Sequence, residues 1–193
     1  MRTPTVNLIL ICMFCSLLSV INAQETKSAT QQKKTCLTKF NAQIVDDHKQ
    51  IYDMSCIPMS IEMVLKLLDR VPGSYYDLQN PWKNKMDGNF SNFDSKTIEG
   101  VTFHKQYGLA RNDKFPLTKL FETIDHELKA GRFVIVSLVS SSGWHMWVIY
   151  DEDADGDFLA VSKAGSETLK AVHVKKTIKD MKGTDIMTYE LKP

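Results

Sequence analysis

The hydrophobic period of this chain changes at Gly131, and that change is the strongest constraint on its fold. Upstream, Leu117 to Ala130 carries apolar residues at helical spacing. Downstream, Phe133 to Val139 is a nearly continuous apolar run rich in β-branched residues, which is typical of a buried strand. Gly131 between them is a natural helix terminator. The pattern therefore predicts helices first and a sheet afterwards.

Two more helices are predicted before this boundary. Cys56 to Arg70 has helical spacing, with Ser55 as a candidate N-cap and Pro58 in the first turn, where it removes no hydrogen bond. Thr97 to Tyr107 is predicted as a second helix, and Ser74 to Ser95 as an irregular loop.

The second half of the chain is predicted to be mostly strands. The acidic turn at 151–157 begins like a calcium loop, but Ser162 stands where a bidentate Glu would be needed, so a solvated hairpin turn is expected. Helices followed by strands indicate an α+β fold, with N-terminal helices packed on an antiparallel sheet. The predicted elements are strands at 144–150, 158–162, 171–174 and 186–191 and a short helix at 177–181.

The first residues have the composition of an export signal. Arg2 precedes an apolar run from Leu8 to Ile21, and Ala23 offers a small residue at a plausible cleavage point. The run is too short for a membrane span, so we expect a secreted or periplasmic protein without a stable membrane anchor. The predicted parts are a signal peptide at 1–23, a flexible leader at 24–34 and one domain at 35–193.

Charge excludes some partner classes. The formal net charge is +1, and Arg2 is the only charged side chain of the predicted signal, so the remaining domain is neutral. A neutral surface argues against nucleic acid or an anionic membrane as the main partner. The histidines lack the pair spacing of a zinc site, and no metal or cofactor site is predicted.

Several residues together have the requirements of a cysteine nucleophile. Cys56 falls at a helix start, where unpaired N–H groups lower a thiol pKa. His145 is the candidate base, and Trp144 and Trp147 beside it would exclude water and line a substrate site. Gln50, six residues before Cys56, could donate to a developing oxyanion.

A structural interpretation competes with this one. A lone Cys at a helix start is commonly a buried apolar residue or a disulfide partner. Cleavage of the signal would leave Cys36 and Cys56, and a bridge between them would preclude catalysis. The ordered set Gln50, Cys56, His145 is more specific than any one of its members.

The stretch Gln50 to Leu65, with Cys56-Ile57-Pro58 inside it, resembles the nucleophile motif of the bacterial double-glycine leader peptidases and their secreted single-domain relatives. The segments at 131–136 and 143–149 resemble that family's strand pair carrying the catalytic His. The resemblance covers 50–185 and is poor over 74–95. It implies a papain-like cysteine peptidase fold, with Cys56 on the central helix and His145 on the sheet facing it.

Two positions depart from the family pattern. Ile57 replaces the Gly that usually follows the nucleophile, which would narrow the substrate site. Ser162 stands where the family has an Asp. A serine could accept a hydrogen bond from His145 but would not stabilise an imidazolium as a carboxylate does.

The sequence leaves three interpretations. The first is a secreted thiol hydrolase that cleaves a peptide or amide bond of a peptide or protein substrate, through a Cys56 acyl-enzyme with His145 as base. The second is a catalytically impaired relative that acts as a binding module. The third makes Cys56 structural, bridged to Cys36.

Overall fold

The computed structural model describes residues 40–85, 88–140, 143–163 and 171–192. The predicted signal and leader, and Cys36, lie outside these residues. The helices are α1 (Ala42–Asp47), α2 (Cys56–Leu67), α3 (Leu117–Lys129) and α4 (Lys175–Asp180), with short 3-10 turns at Asn80–Trp82 and Phe90–Asn92. The strands are β1 (Thr97–Ile98), β2 (Val101–Gln106), β3 (Val134–Ser140), β4 (Gly143–Glu152), β5 (Phe158–Val161), β6 (Val172–His173) and β7 (Ile186–Leu191).

Within the described residues the strands form one antiparallel sheet in the order β1-β2-β7-β3-β4-β5-β6. This confirms the α+β prediction, since helices and a purely antiparallel sheet are both present, but the predicted order of helices first is wrong, because β1 and β2 precede α3. The papain-like assignment is finer than this observation and stays a prediction.

Side chains of β3 alternate between two cores, one on each face of the sheet. Ile135 packs in the core that contains α2, whereas Val134 and Val136 pack with residues of α3 and α4. In β4, Met146 and Val148 belong to the α2 core. Helix α2 therefore lies against the face of the sheet that also buries alternate residues of β4.

The predicted helix at 97–107 is wrong. The segment is the β1–β2 hairpin, with Val101 and Phe103 buried and alternating with more exposed residues. Glu99 and Gly100 both have positive φ, 49° and 75°, the conformation of a type I′ hairpin turn. A period of two over six residues, after a turn with Gly in second place, outweighs the few apolar positions that also fit a helical period.

Helix α3 ends as the sequence predicts. Gly131 donates its N–H to Leu128 O (2.9 Å), and Arg132 donates to Glu127 O (2.9 Å), which is the Schellman pattern of hydrogen bonds. The chain can therefore leave α3 and enter β3 within a few residues, and β3 is the strand that pairs with β4 over its whole length.

The acidic turn joins β4 to β5 as a hairpin. Asp153 Oδ1 accepts from the N–H groups of Asp155 (2.9 Å) and Asp157 (2.8 Å), and its carboxylate pairs with His173 (2.8 Å). The Asp153 carboxylate therefore stabilises the hairpin turn by accepting hydrogen bonds from its backbone. Among the described residues, no helix has the length and apolar character needed to cross a bilayer.

Candidate functional site

Cys56 is the first residue of α2 and its side chain is half-buried at the edge of the α2 core. It carries a free thiol. The backbone amides of Cys56, Ile57 and Met146 lie near this thiol and act to lower its pKa. The start of α2 therefore meets β4 at Met146, the residue after the candidate base. Side chains alternate along β4, so the His145 ring leaves the sheet on the face of Trp147 and Leu138, opposite to the face of Met146 and α2.

The pKa of the Cys56 thiol is raised, whereas its place at a helix start predicted a lowered pKa. Burial is the largest cause, because it disfavours the thiolate. The three backbone N–H groups at the thiol act in the opposite direction but are outweighed. The resting thiol is therefore protonated at neutral pH, and any chemistry there requires a base.

His145 is held by Ser162. The ring Nε2 lies 2.6 Å from Ser162 Oγ, and Ser162 is buried at the end of β5. The ring also meets Trp147 edge-on, with centroids 6.0 Å apart and an interplanar angle of 89°. A serine can donate to Nε2 or accept from it, so this contact orients the ring without fixing the tautomer as a carboxylate would.

Gln50 does not present its amide N–H groups to the thiol. Its Nε2 donates to Tyr52 O and Asp53 O, both at 2.7 Å, which accounts for both hydrogens. Its Oε1 is buried and has no partner among the described residues. Two carbonyls against Nε2 also exclude the flipped amide, so the predicted oxyanion donor is engaged in the turn before α2.

The predicted substrate contacts separate in the structure. Ile57 is 2% exposed and packs in the α2 core, so it does not narrow the site, because its side chain points inward from the helix. Trp144 is 48% exposed beside the end of β3, and the Arg111 guanidinium lies 4.1 Å from its ring centroid. Trp147 is half-buried and packs in the second core, with residues of α3 and α4. Of the three, Trp144 alone offers a broad exposed surface.

A buried polar cluster behind α2 was not predicted from the sequence. Glu62 Oε1 accepts from the N–H groups of Leu78 (2.8 Å) and Gln79 (3.2 Å), and Oε2 accepts from Gln79 Nε2 (2.7 Å). Glu62 and Gln79 are both fully buried. The only sequence signal was a charged residue, Glu62, inside the mostly apolar run from Ile57 to Leu65.

His48 and Lys66 extend the cluster along α2. His48 Nε2 donates to Met59 O (2.9 Å), which leaves Nδ1 to accept from Lys66 Nζ at 2.9 Å. The Lys66 ammonium also lies 3.8 Å from the Tyr76 ring centroid. This pattern requires a neutral imidazole, because a protonated ring could not accept from lysine.

Burial displaces all three pKa values. It is the largest cause that raises the pKa of Glu62 to about 7, lowers the pKa of His48 to about 4 and lowers the pKa of Lys66 to about 8. Burial therefore shifts each group toward its neutral form relative to the unfolded chain.

These displacements predict a pH dependence of stability. Folded Glu62 holds a proton that the carboxyl of the unfolded chain releases near pH 4.5. Its contribution to the free energy of unfolding is therefore lost as the pH rises from about 4.5 to about 7. His48 of the unfolded chain binds a proton that the folded ring does not. Its contribution to the free energy of unfolding is therefore gained as the pH rises from about 4 to about 6.5. In wild type, these two pH dependences of stability act in opposite directions.

We expect Glu62→Gln to unmask the His48 dependence. Its free energy of unfolding, measured with urea at several pH values, should rise more steeply between pH 4.5 and 6.5 than that of wild type. Glu122→Gln, on the exposed side of α3, is the matched control. Parallel profiles for Glu62→Gln and wild type would contradict the assignment of a raised Glu62 pKa.

Comparison with known proteins does not assign the chain to a family: no family model matches it, and no curated protein matches it. The family resemblance therefore stays a hypothesis. The described site contains a half-buried thiol beside the backbone of Met146, an imidazole on the neighbouring residue of β4, and a hydroxyl orienting that imidazole. These are the groups of a cysteine nucleophile, and proton transfer from sulfur to nitrogen requires the His145 ring to come within hydrogen-bond reach of the thiol.

Proposed function

We propose that this protein is a thiol hydrolase that cleaves a peptide or amide bond, with Cys56 as nucleophile and His145 as base. The observation that carries the proposal is the convergence of the α2 N-terminus with the His145–Met146 segment, together with the 2.6 Å contact between His145 Nε2 and Ser162 Oγ. In this proposal the fold is a papain-like variant and the protein is exported.

The reaction would begin from a neutral thiol. Because burial raises the pKa of Cys56, proton transfer to His145 would accompany attack on the carbonyl rather than precede it, and it requires the ring to turn from the face of Trp147 toward the thiol. The sulfur forms a bond to the carbonyl carbon, and the resulting oxyanion is met by the Cys56 N–H. The imidazolium then protonates the leaving amine, and water, deprotonated by His145, releases the acyl group.

A second candidate is a binding module with the same fold. Three observations favour it: the raised pKa of Cys56, the engagement of the Gln50 amide in a turn, and the hydroxyl in place of a carboxylate at Ser162. Each of them weakens catalysis, and none of them interferes with peptide binding beside the exposed Trp144.

Peptidyl acyloxymethyl ketones distinguish the two candidates, because fast reaction with them requires both substrate binding and base activation. We expect a single covalent adduct on Cys56, detected by intact mass. The adduct should form at least tenfold more slowly in His145→Ala. Iodoacetamide labelling of Cys56, followed in parallel, should change less. Labelling by iodoacetamide without any peptidyl adduct would contradict the hydrolase and favour the binding module.

Ser162→Asp is expected to raise the rate of peptidyl adduct formation by about tenfold. A carboxylate at 2.6 Å from Nε2 would stabilise the imidazolium that forms as the thiol is deprotonated, which a hydroxyl cannot do. Ser162→Asn is the matched control, since it can orient the ring without adding charge. Equal rates for the Asp and Asn variants would contradict the electrostatic explanation.

A further inference from the structure

The exposed ring of Trp144 lies on the same face of the sheet as the candidate nucleophile. Trp144 alternates with Met146 and Val148 along β4, and the latter two pack in the α2 core, so all three side chains leave the sheet toward α2. The Cys56 thiol lies beside the backbone of Met146. Trp144 and Met146 are two residues apart, which is about 7 Å along a strand. A ligand that contacts the Trp144 ring is therefore close to the start of α2.

Three charged side chains stand on this face next to Trp144. Lys105 alternates with Phe103, which packs in the α2 core, so Lys105 leaves β2 toward the same face. Its Nζ lies 3.4 Å from Asp185 Oδ2, and Arg111 Nη2 lies 3.6 Å from Asp185 Oδ1. The Arg111 guanidinium in turn lies 4.1 Å from the Trp144 ring centroid. One carboxylate is thus shared by two cations beside the aromatic ring.

The Arg111 guanidinium is positioned by these contacts, but its hydrogen-bonding capacity is unused. At 3.6 Å its contact with Asp185 is too long for a hydrogen bond, and no hydrogen bond joins its side chain to any described residue. A guanidinium has five N–H donors in one plane, and their spacing matches the two oxygens of a carboxylate. The side chain is 32% exposed, so a ligand can reach these donors. Stacking on Trp144 orients the plane in advance, which reduces the side-chain freedom lost when a carboxylate binds.

We propose that Arg111, stacked on Trp144, is a specificity-determining residue that binds the carboxylate of an Asp or Glu side chain in the substrate. The inference rests on the proposed hydrolase function and adds the class of its substrate, a peptide with an acidic side chain near the scissile bond. A neutral amide at the same position could accept from Arg111 but would gain no attraction to a cation.

The test is cleavage of a proteome-derived peptide library, with the residues around each new terminus identified by mass spectrometry. At one fixed position relative to the scissile bond, we expect Asp and Glu at least about threefold more often than in the uncleaved library. Arg111→Gln should remove this enrichment, and Arg111→Glu should replace it with Lys and Arg at the same position. Absence of acidic enrichment in wild type overturns the proposal, and so does enrichment that survives in Arg111→Gln.

Lys114→Gln is the matched control. Lys114 is exposed in the same segment between β2 and α3, so its replacement removes one positive charge and leaves the stack of Arg111 on Trp144 in place. The enrichment should persist in this variant. Equal losses in the Lys114 and Arg111 variants would indicate general attraction of acidic peptides to a positive surface and would contradict a specific site. Cleavage at a fixed distance from the peptide C-terminus, whatever the side chains, would identify the terminal carboxylate as the ligand and overturn the side-chain assignment.

Failure of the hydrolase proposal gives a different result, because the wild-type protein would then cleave no peptide. In that case the same library is passed over immobilised Cys56→Ala protein at low salt. We expect the retained peptides to be enriched about threefold in Asp and Glu. Adding Arg111→Gln should remove this enrichment, whereas adding Lys114→Gln should preserve it. Retention without acidic enrichment, or enrichment that Arg111→Gln does not remove, overturns the carboxylate site itself.

Discussion

Cys56→Ala is expected to abolish hydrolysis of a proteome-derived peptide library, with a loss of at least about a thousandfold in product formation. The reason is that the proposed reaction passes through a bond between Cys56 sulfur and the substrate carbonyl, and alanine offers no nucleophile. Cleaved products would be identified by mass spectrometry of new peptide termini. His145→Ala should cause a comparable loss, because the neutral thiol depends on that base.

Cys36→Ala is the matched cysteine control, and it separates the remaining interpretation. If Cys56 acts as a free nucleophile, as its free thiol suggests, the Cys36 variant should retain activity. Equal loss in the Cys36 and Cys56 variants would instead support a structural disulfide. Full activity in Cys56→Ala would exclude the hydrolase proposal altogether.

Gly183→Ala is expected to destabilise the fold strongly, although it adds only one methyl group. Gly183 has φ of 112°, and a Cβ built there would lie 2.2 Å from the Phe115 ring carbon Cγ. Phe115 is itself buried, so the ring cannot swing into solvent. Backbone strain and overpacking together should cost about 4 kcal/mol, which corresponds to a Tm lower by about 10 °C.

Gly73→Ala provides the matched control for that measurement. A Cβ at Gly73 would meet no atom within 4 Å, and the residue follows Pro72 in the loop after α2. Its Tm should stay within about 2 °C of wild type, since neither a clash nor a left-handed backbone is involved. A fall in Tm shared equally by both variants would contradict the packing explanation for Gly183.

Local pattern was enough for the elements with long, consistent periods. Leu117 to Lys129 and the strand after Gly131 were predicted because many residues repeat one period and a terminator separates them. The prediction failed at the β1–β2 hairpin, where the turn residues Glu99 and Gly100 form a type I′ turn inside a stretch that also fits a helical period. Strand length does not explain the failure, since the shorter strands β5 and β6 lie where the sequence predicts them.

Part of the candidate site was also predictable from the sequence. The sequence predicts Cys56, His145 and Ser162 as site residues, and the structure places Ser162 against His145 and the start of α2 beside Met146. The sequence could not indicate that the Gln50 amide donates to carbonyls of the turn before α2, because that depends on where those carbonyls point.

By itself, the sequence determined the class of fold and the order of the elements after Gly131, because hydrophobic period is a local property of the chain. Only the tertiary structure decided the state of the thiol, since its pKa depends on how deeply the packed helix buries it, not on its position in the helix. The same holds for the pairing of Glu62 with Gln79. Those two residues are distant in the chain, and their contact exists only because a loop folds back over α2 and excludes water from both.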